Sequence, residues 1–185
     1  RLVYLISPGK IYKKFYTDLS LVLASKKVKF FQLRLKKTSN SKIIKIGKKI
    51  KIITKKYDVK LIINDSVKLA KKINADGCHI GQLDGSISSG RKFLKNKIIG
   101  VTCHNSKKLA LIALKNEVEY IAFGSFFKSK LKPIAKKADI KVLKWSKKNI
   151  KKPVVAIGGI TDKNYKKLIN AGANYIAISS FIWDN

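Results

Sequence analysis

The sequence predicts an α/β fold, a single (β/α)8 TIM barrel over residues 1–185. Three observations carry that expectation. Short apolar, β-branched runs alternate with longer amphipathic segments from end to end, and the runs number eight. No Pro/Gly-rich linker or low-complexity stretch divides the chain, and 185 residues suit one domain with a sizeable core. Such alternation sets strands side by side in parallel, each followed by a helix that returns the chain; a doubly wound open sheet is the second choice.

In chain order the strands are expected at Val3–Ser7, Lys29–Leu35, Lys60–Asn64, Gly77–Ile80, Lys97–Thr102, Tyr120–Gly124, Val154–Gly158 and Tyr175–Ser179. Their continuous apolar character fits strands covered on both faces. Between them, Ser66 is placed to cap a helix over 67–73, Asn105 one over 106–115, and Asp162 one over 163–171 with Gly172 just past its end. A faint echo, "LAKKINADGCHIGQ", "LIALKNEVEYIAFG" and "KLINAGANYIAIS", repeats the passage from helix end through a short turn into a strand. The chain has no Met and stops just after the eighth strand, so a fragment lacking the last covering helix is expected.

Composition narrows the partners. Lys and Arg total 42 against 10 Asp and Glu, a formal charge of +32, and only Arg1, Arg34 and Arg91 are arginines. Lys is spread over every predicted helix instead of gathering with Arg and aromatics on one element. Nucleic acid is therefore not the expected partner, and anionic small molecules are. The apolar runs are too short to cross a bilayer, and the first residues read as a strand, not a secretory signal. Cys78 and Cys103 have no CxxC spacing, so neither zinc nor a disulfide framework is indicated and a cytoplasmic setting is expected. A homo-oligomer is compatible with all of this.

In a barrel, chemistry sits at the carboxyl ends of the strands. On the second run a period of two puts Phe30, Gln32, Arg34 and Lys36 on one face, with Phe31, Leu33 and Leu35 on the other. The apolar face must meet helices, so the polar one looks into the barrel. Two interior cations need an anion, either an acid on a neighbouring strand or an external ligand; the scarcity of acids favours the ligand. The third strand runs into Asn64-Asp65 and the fourth into Gly81-Gln82-Leu83-Asp84. Carboxylates at adjacent strand ends suit a hard divalent cation, Mg²⁺, completed by phosphate oxygens; taken singly, Asp65 reads as part of a helix cap and Asp84 as a turn residue. Thr102 ends the fifth strand as a hydroxyl for substrate or backbone. His79 alternates into a strand as a core residue, and two histidines alone make zinc improbable. The basic loop Lys128–Lys132, Gly158-Gly159 after the seventh strand and Ser179-Ser180 after the eighth complete a mouth suited to phosphate.

The segments "QLRLK" (32–36), "IIND" (62–65), "ADGCHIGQLD" (75–84), "IIGVTCH" (98–104), "YIAFGSFF" (120–127), "PVVAIGGI" (153–160) and "AGANYIAIS" (171–179) together resemble the thiamine phosphate synthase family, in order and over nearly the whole chain. That resemblance implies a Mg²⁺-dependent transferase joining a pyrimidine diphosphate to thiazole phosphate. It implies Gln32, Arg34 and Lys36 on the diphosphate, Asn64 on the pyrimidine substrate, Asp65 and Asp84 on the metal, and Thr102 as the strand-five hydroxyl. It implies Lys132 as the loop lysine, Ser129 and Leu131 at the loop positions facing the thiazole, and Gly159, Ser179 and Ser180 at its phosphate. Arg34, Lys36 and Lys132 are the expected catalytic cations. Two positions depart from the family's pattern: Leu35 replaces a Glu on the outward face, and Leu131 replaces a hydroxyl. The related thiazole tautomerase branch generally lacks the paired aspartates. A decayed barrel binding anions or RNA through its lysines is the reading from another class.

Overall fold

The computed structural model describes residues 1–128 and 137–184. The eight runs form strands β1 (Val3–Ile6), β2 (Val28–Leu33), β3 (Lys60–Asn64), β4 (Gly77–Ile80), β5 (Ile98–His104), β6 (Tyr120–Gly124), β7 (Val154–Ile157) and β8 (Tyr175–Ile178). They pair in parallel in chain order, and β1 also pairs with β8, so the sheet closes into a barrel. Helices follow in turn: α1 (Phe15–Ala24), α2 (Asn40–Lys56), α3 (Val67–Ile73), α4 (Ile87–Leu94), α5 (Lys107–Lys115), α6 (Lys141–Asn149), α7 (Tyr165–Ala171) and α8 (Ser180–Trp183). An eighth helical element therefore exists, contrary to the sequence expectation. It is a single turn, held by the Trp183 indole donating from Nε1 to the Ile6 carbonyl at 2.6 Å and by the packing of that ring on Phe15.

Period-two alternation divides the core into two layers. Phe31, Leu33 and Leu35 join the outer layer between strands and helices, whereas Phe30 joins Tyr4, Ile6, Ile62, Tyr120, Ala122, Val155 and Ala177 inside the barrel. Phe31 is fully buried, a position where truncation to Ala costs about 3–5 kcal/mol. Each layer follows from side-chain direction along a strand, as the face assignment of β2 anticipates.

The floor of the barrel explains the sequence echo. Asp76, Glu119 and Asn174 each sit immediately before an even-numbered strand. The Asp76 amide donates to the Leu61 carbonyl at 2.9 Å while its carboxylate accepts from the Leu61 amide at 2.7 Å. Glu119 makes the same reciprocal pair with Ile99 (2.8 and 2.6 Å), and Asn174 with Val154 (2.8 and 2.8 Å). Each satisfies a backbone amide where an odd strand begins and would otherwise lack a partner. Arg91 then clamps Glu119 with both carboxylate oxygens within 2.8 Å, and Lys51 pairs with Asp76 at 2.7 Å. Two of the ten acids are thus structural.

Helix ends partly follow expectation. The Ser66 hydroxyl accepts from the Leu69 amide as predicted, and Gly172 ends α7 with φ +123°. Ser106, not Asn105, caps α5, because its hydroxyl reaches the Leu109 amide while Asn105 turns to the Asp139 amide at 3.0 Å. Asp162 does not cap α7: the helix starts later, and Asn164 accepts from the Thr161 amide in the turn before it.

Candidate active site at the barrel mouth

A cavity of about 880 Å³ opens at the carboxyl ends of the strands. Gln32, Arg34, Lys36, Asn64, Asp65, Asp84, Thr102, Gly159, Ser179 and Ser180 all line it. Ser129, Leu131 and Lys132 lie outside the described residues.

β2 ends at Leu33, two residues earlier than its alternation suggests, so Arg34 and Lys36 stand just beyond the ladder. Ser7 fixes that exit: its hydroxyl accepts from the Arg34 amide at 2.9 Å and donates to the Arg34 carbonyl at 3.3 Å. Lys36 reaches across to Asp65, Nζ to Oδ2 at 2.8 Å. The acid on a neighbouring strand is therefore realised for Lys36, whereas among the described residues no carboxylate pairs with Arg34.

Asp65 occupies the left-handed region at φ +64°, its amide bonded to the His79 carbonyl at 2.8 Å. A non-glycine residue held there is a local strain of the type that gathers at functional sites. Asp84 closes the turn after β4, its Oδ2 accepting from the Gly81 amide at 3.0 Å. A side chain at Gly81 would bring its Cβ to 2.4 Å from that oxygen and so displace the Asp84 carboxylate from this position. The Asp65 and Asp84 carboxyls lie within hydrogen-bonding reach of each other. Burial and the Asp65 carboxylate push Asp84 above the usual carboxylate range. Burial works against ionisation of Asp65 as well, but hydrogen bonds from Lys36 and Asp84 outweigh it and hold Asp65 below that range. Two crowded hard oxygen donors at the rim suit a divalent cation. Among the described residues no third His, Cys, Asp or Glu joins them, so the rest of a cation's shell would come from substrate and water oxygens.

Deeper in, five side chains form a chain that sequence reasoning largely missed. Gln32 Nε2 donates to the Tyr4 hydroxyl at 2.8 Å, which lies 2.7 Å from the Tyr120 hydroxyl. That hydroxyl is 2.9 Å from His79 Nδ1, and His79 Nε2 is 2.7 Å from the Thr102 hydroxyl. Tyr4 and Tyr120 are all but inaccessible, and burial pushes both phenols well above their ordinary range. Tyr120 fits because β5 carries Gly100 beside it, where a Cβ would meet the ring at 1.8 Å. An inward-facing tyrosine opposite a strand glycine was the available signal, since a buried phenol needs a partner. His79 is the satisfied core histidine that the alternation anticipates, and Thr102 bonds it instead of the backbone.

The far side of the mouth is built from backbone turns. Gly158 and Gly159 have φ +106° and +59°, and a Cβ at Gly158 would lie 1.9 Å from the Ser125 hydroxyl oxygen. Ser179 donates to the Ser7 carbonyl at 3.1 Å, tying the end of β8 to that of β1.

Fold and site together define a (β/α)8 barrel enzyme. A family model described as thiamine monophosphate synthase matches residues 3–182, and the chain belongs to that family. It is 56% identical over 186 residues to the thiamine-phosphate synthase of Pelagibacter ubique, covering 100% of this chain and 90% of the relative. With that of Erythrobacter litoralis the identity is 39%, over 98% of this chain and 87% of the relative. Among solved structures, thiamine phosphate pyrophosphorylase from Pyrococcus furiosus superposes with a TM-score of 0.86 at 28% identity, covering 97% of this chain and 85% of that one.

Proposed function

We propose that the chain acts as a thiamine-phosphate synthase, a transferase that couples an aminopyrimidine bearing a diphosphooxymethyl group to thiazole phosphate and releases diphosphate. One observation carries this reading: Arg34, Lys36, Asp65 and Asp84 line one rim of a single cavity whose deeper lining includes Tyr4, Ile6, Tyr120, Ala122, Val155 and Ala177. Arg34 and Lys36 hold the diphosphate and offset the negative charge that grows on it as the carbon–oxygen bond breaks. Asp65 and Asp84 would hold Mg²⁺, which supplies further charge neutralisation for the leaving diphosphate when bound. Gln32 belongs with Arg34 and Lys36 on the diphosphate side. Asn64 bounds the pyrimidine side, with Thr102 offering a hydroxyl, and Gly159, Ser179 and Ser180 bound the thiazole phosphate side. Lys132 is the remaining cation of the proposal. The positive charge left on the methylene is shared by the pyrimidine until the thiazole nitrogen attacks, so the protein positions and neutralises without supplying a nucleophile. The cysteines support that point: both are fully buried, and burial pushes each thiol up to about 12.

The same reading places the protein in the cytoplasm, consistent with its two free cysteines and with no described helix being long and apolar enough to cross a membrane. Arg34→Ala tests the site. With diphosphate release followed at saturating Mg²⁺, turnover is expected to fall by about 100-fold or more; rates equal to the unmodified enzyme would remove Arg34 from the mechanism.

A further inference from the structure

With Gln32 Nε2 facing the Tyr4 hydroxyl, proton bookkeeping along the buried chain of five side chains leaves one arrangement. The Gln32 amide nitrogen can only donate, so the Tyr4 oxygen accepts from it. The Tyr4 proton then has one acceptor within reach, the Tyr120 oxygen at 2.7 Å. Tyr120 has accepted, so its own proton goes to His79 Nδ1 at 2.9 Å. An imidazole that accepts at Nδ1 carries its proton on Nε2, and that proton points at the Thr102 oxygen, 2.7 Å away. Thr102 has now accepted inside the wall, and its own proton is left for the cavity it lines. With the Gln32 nitrogen facing Tyr4, any other order leaves a phenol proton buried without an acceptor, at a cost that native interiors avoid; the reversed order requires the Gln32 oxygen in that place.

We propose that Tyr4, Tyr120 and His79 are positioning residues: a one-directional relay, anchored at Gln32, that fixes the Thr102 hydroxyl as a hydrogen-bond donor to an acceptor atom of the bound substrate. The relay spans β2, β1, β6, β4 and β5, so it ties five strands of the barrel wall to one oriented hydroxyl. Gly100 belongs to the device, because only an absent side chain on β5 seats the Tyr120 ring against His79, with ring centroids 5.7 Å apart. Charge-free relays of this kind strengthen when buried, since each bond polarises the next. The catalytic consequence rests on the transferase reading; the proton order does not.

The test has two arms. In the first, long-range nitrogen–proton NMR of the ligand-free protein reads the tautomer of His79, assigned against His104, the one other histidine, with a His104→Asn variant. A single Nε2–H form is expected, giving way to a mixture in Tyr120→Phe; an Nδ1–H form, or a mixture in the unmodified protein, overturns the relay. The second arm is a double-variant cycle on kcat/KM for the pyrimidine diphosphate. Thr102→Val is expected to cost about 10-fold in the unmodified background and less than about 2-fold in Tyr120→Phe, with Thr102→Ser close to unmodified. Equal costs in both backgrounds overturn the positioning role. Should the protein fail to couple the two substrates at all, the transferase reading falls while the NMR arm still decides the relay.

Discussion

Asp65→Asn alters one atom in shape and removes one charge, and it separates the two roles this carboxylate plays. Its ion pair with Lys36 joins a side chain 49% exposed to one 28% exposed, and pairs at that level of exposure contribute about 0–1 kcal/mol. For a chain of this size 1 kcal/mol shifts Tm by roughly 2–4 °C, so the melting temperature is expected to fall by no more than about 4 °C. The effect on turnover is of another order. One of two carboxylates proposed to hold the cation beside the leaving diphosphate is lost, and electrostatic contacts aimed at developing charge are worth about 3 kcal/mol, or about 100-fold in rate. Thiamine phosphate formation is measured over a Mg²⁺ titration beside a thermal melt of the same preparation. The variant should need more Mg²⁺ and stay at least about 100-fold slower, with its fold intact. Turnover like that of the unmodified protein at ordinary Mg²⁺, or a loss explained by a collapsed melt, would refute the reasoning.

Two further outcomes follow from groups away from the chemistry or from its proton balance. Glu119→Ala strands the Ile99 amide and unpairs Arg91 at the opposite end of the barrel, so about 2 kcal/mol of stability and some 4–8 °C of Tm are expected to go; kcat at 25 °C should not change, and a slower kcat without a lower Tm would contradict that division. In acid, Asp65 ionises more readily in the folded state than its ordinary 3.8, so its charge stabilises the fold above about pH 4 and that contribution is lost as pH falls through its lowered value. Asp84 is shifted upward, and its ionised form works against the fold. The stability gap between unmodified protein and Asp65→Asn should therefore close between pH 5 and pH 2 in metal-free buffer, on the order of a unit either side of the carboxylate range; a gap independent of pH would exclude the linkage.

The barrel was legible because both of its faces are apolar, which turns each strand into a run that polar helix faces interrupt. The rim was legible for a different reason: with so few acids in the chain, Asp65 and Asp84 at consecutive strand ends stood out. What the pattern could not show was depth and partnership. The alternation of β2 continues through Arg34 to Lys36, yet its ladder stops at Leu33, because side-chain period persists in an extended loop after the neighbour's backbone has turned away. Lys36 finds Asp65 only once β2 and β3 are adjacent. Asn105 and Ser106 are both able caps in sequence, and the Asp139 amide decides between them. Tyr4 and Tyr120 fall within predicted strands and prove buried, but their hydroxyls acquire meaning only when β1 and β6 face each other across the barrel. Asp76 and Glu119 carry no motif; they were visible only as the echo whose cause the reciprocal bonds supply.

The most direct measurement incubates the folded full-length protein with the pyrimidine diphosphate and thiazole phosphate, with Mg²⁺ and with the metal chelated, and quantifies thiamine phosphate and diphosphate. The account predicts that both products appear in equal amounts when Mg²⁺ is present and neither when it is chelated. Folded protein that forms no thiamine phosphate with both substrates and Mg²⁺ present would contradict it.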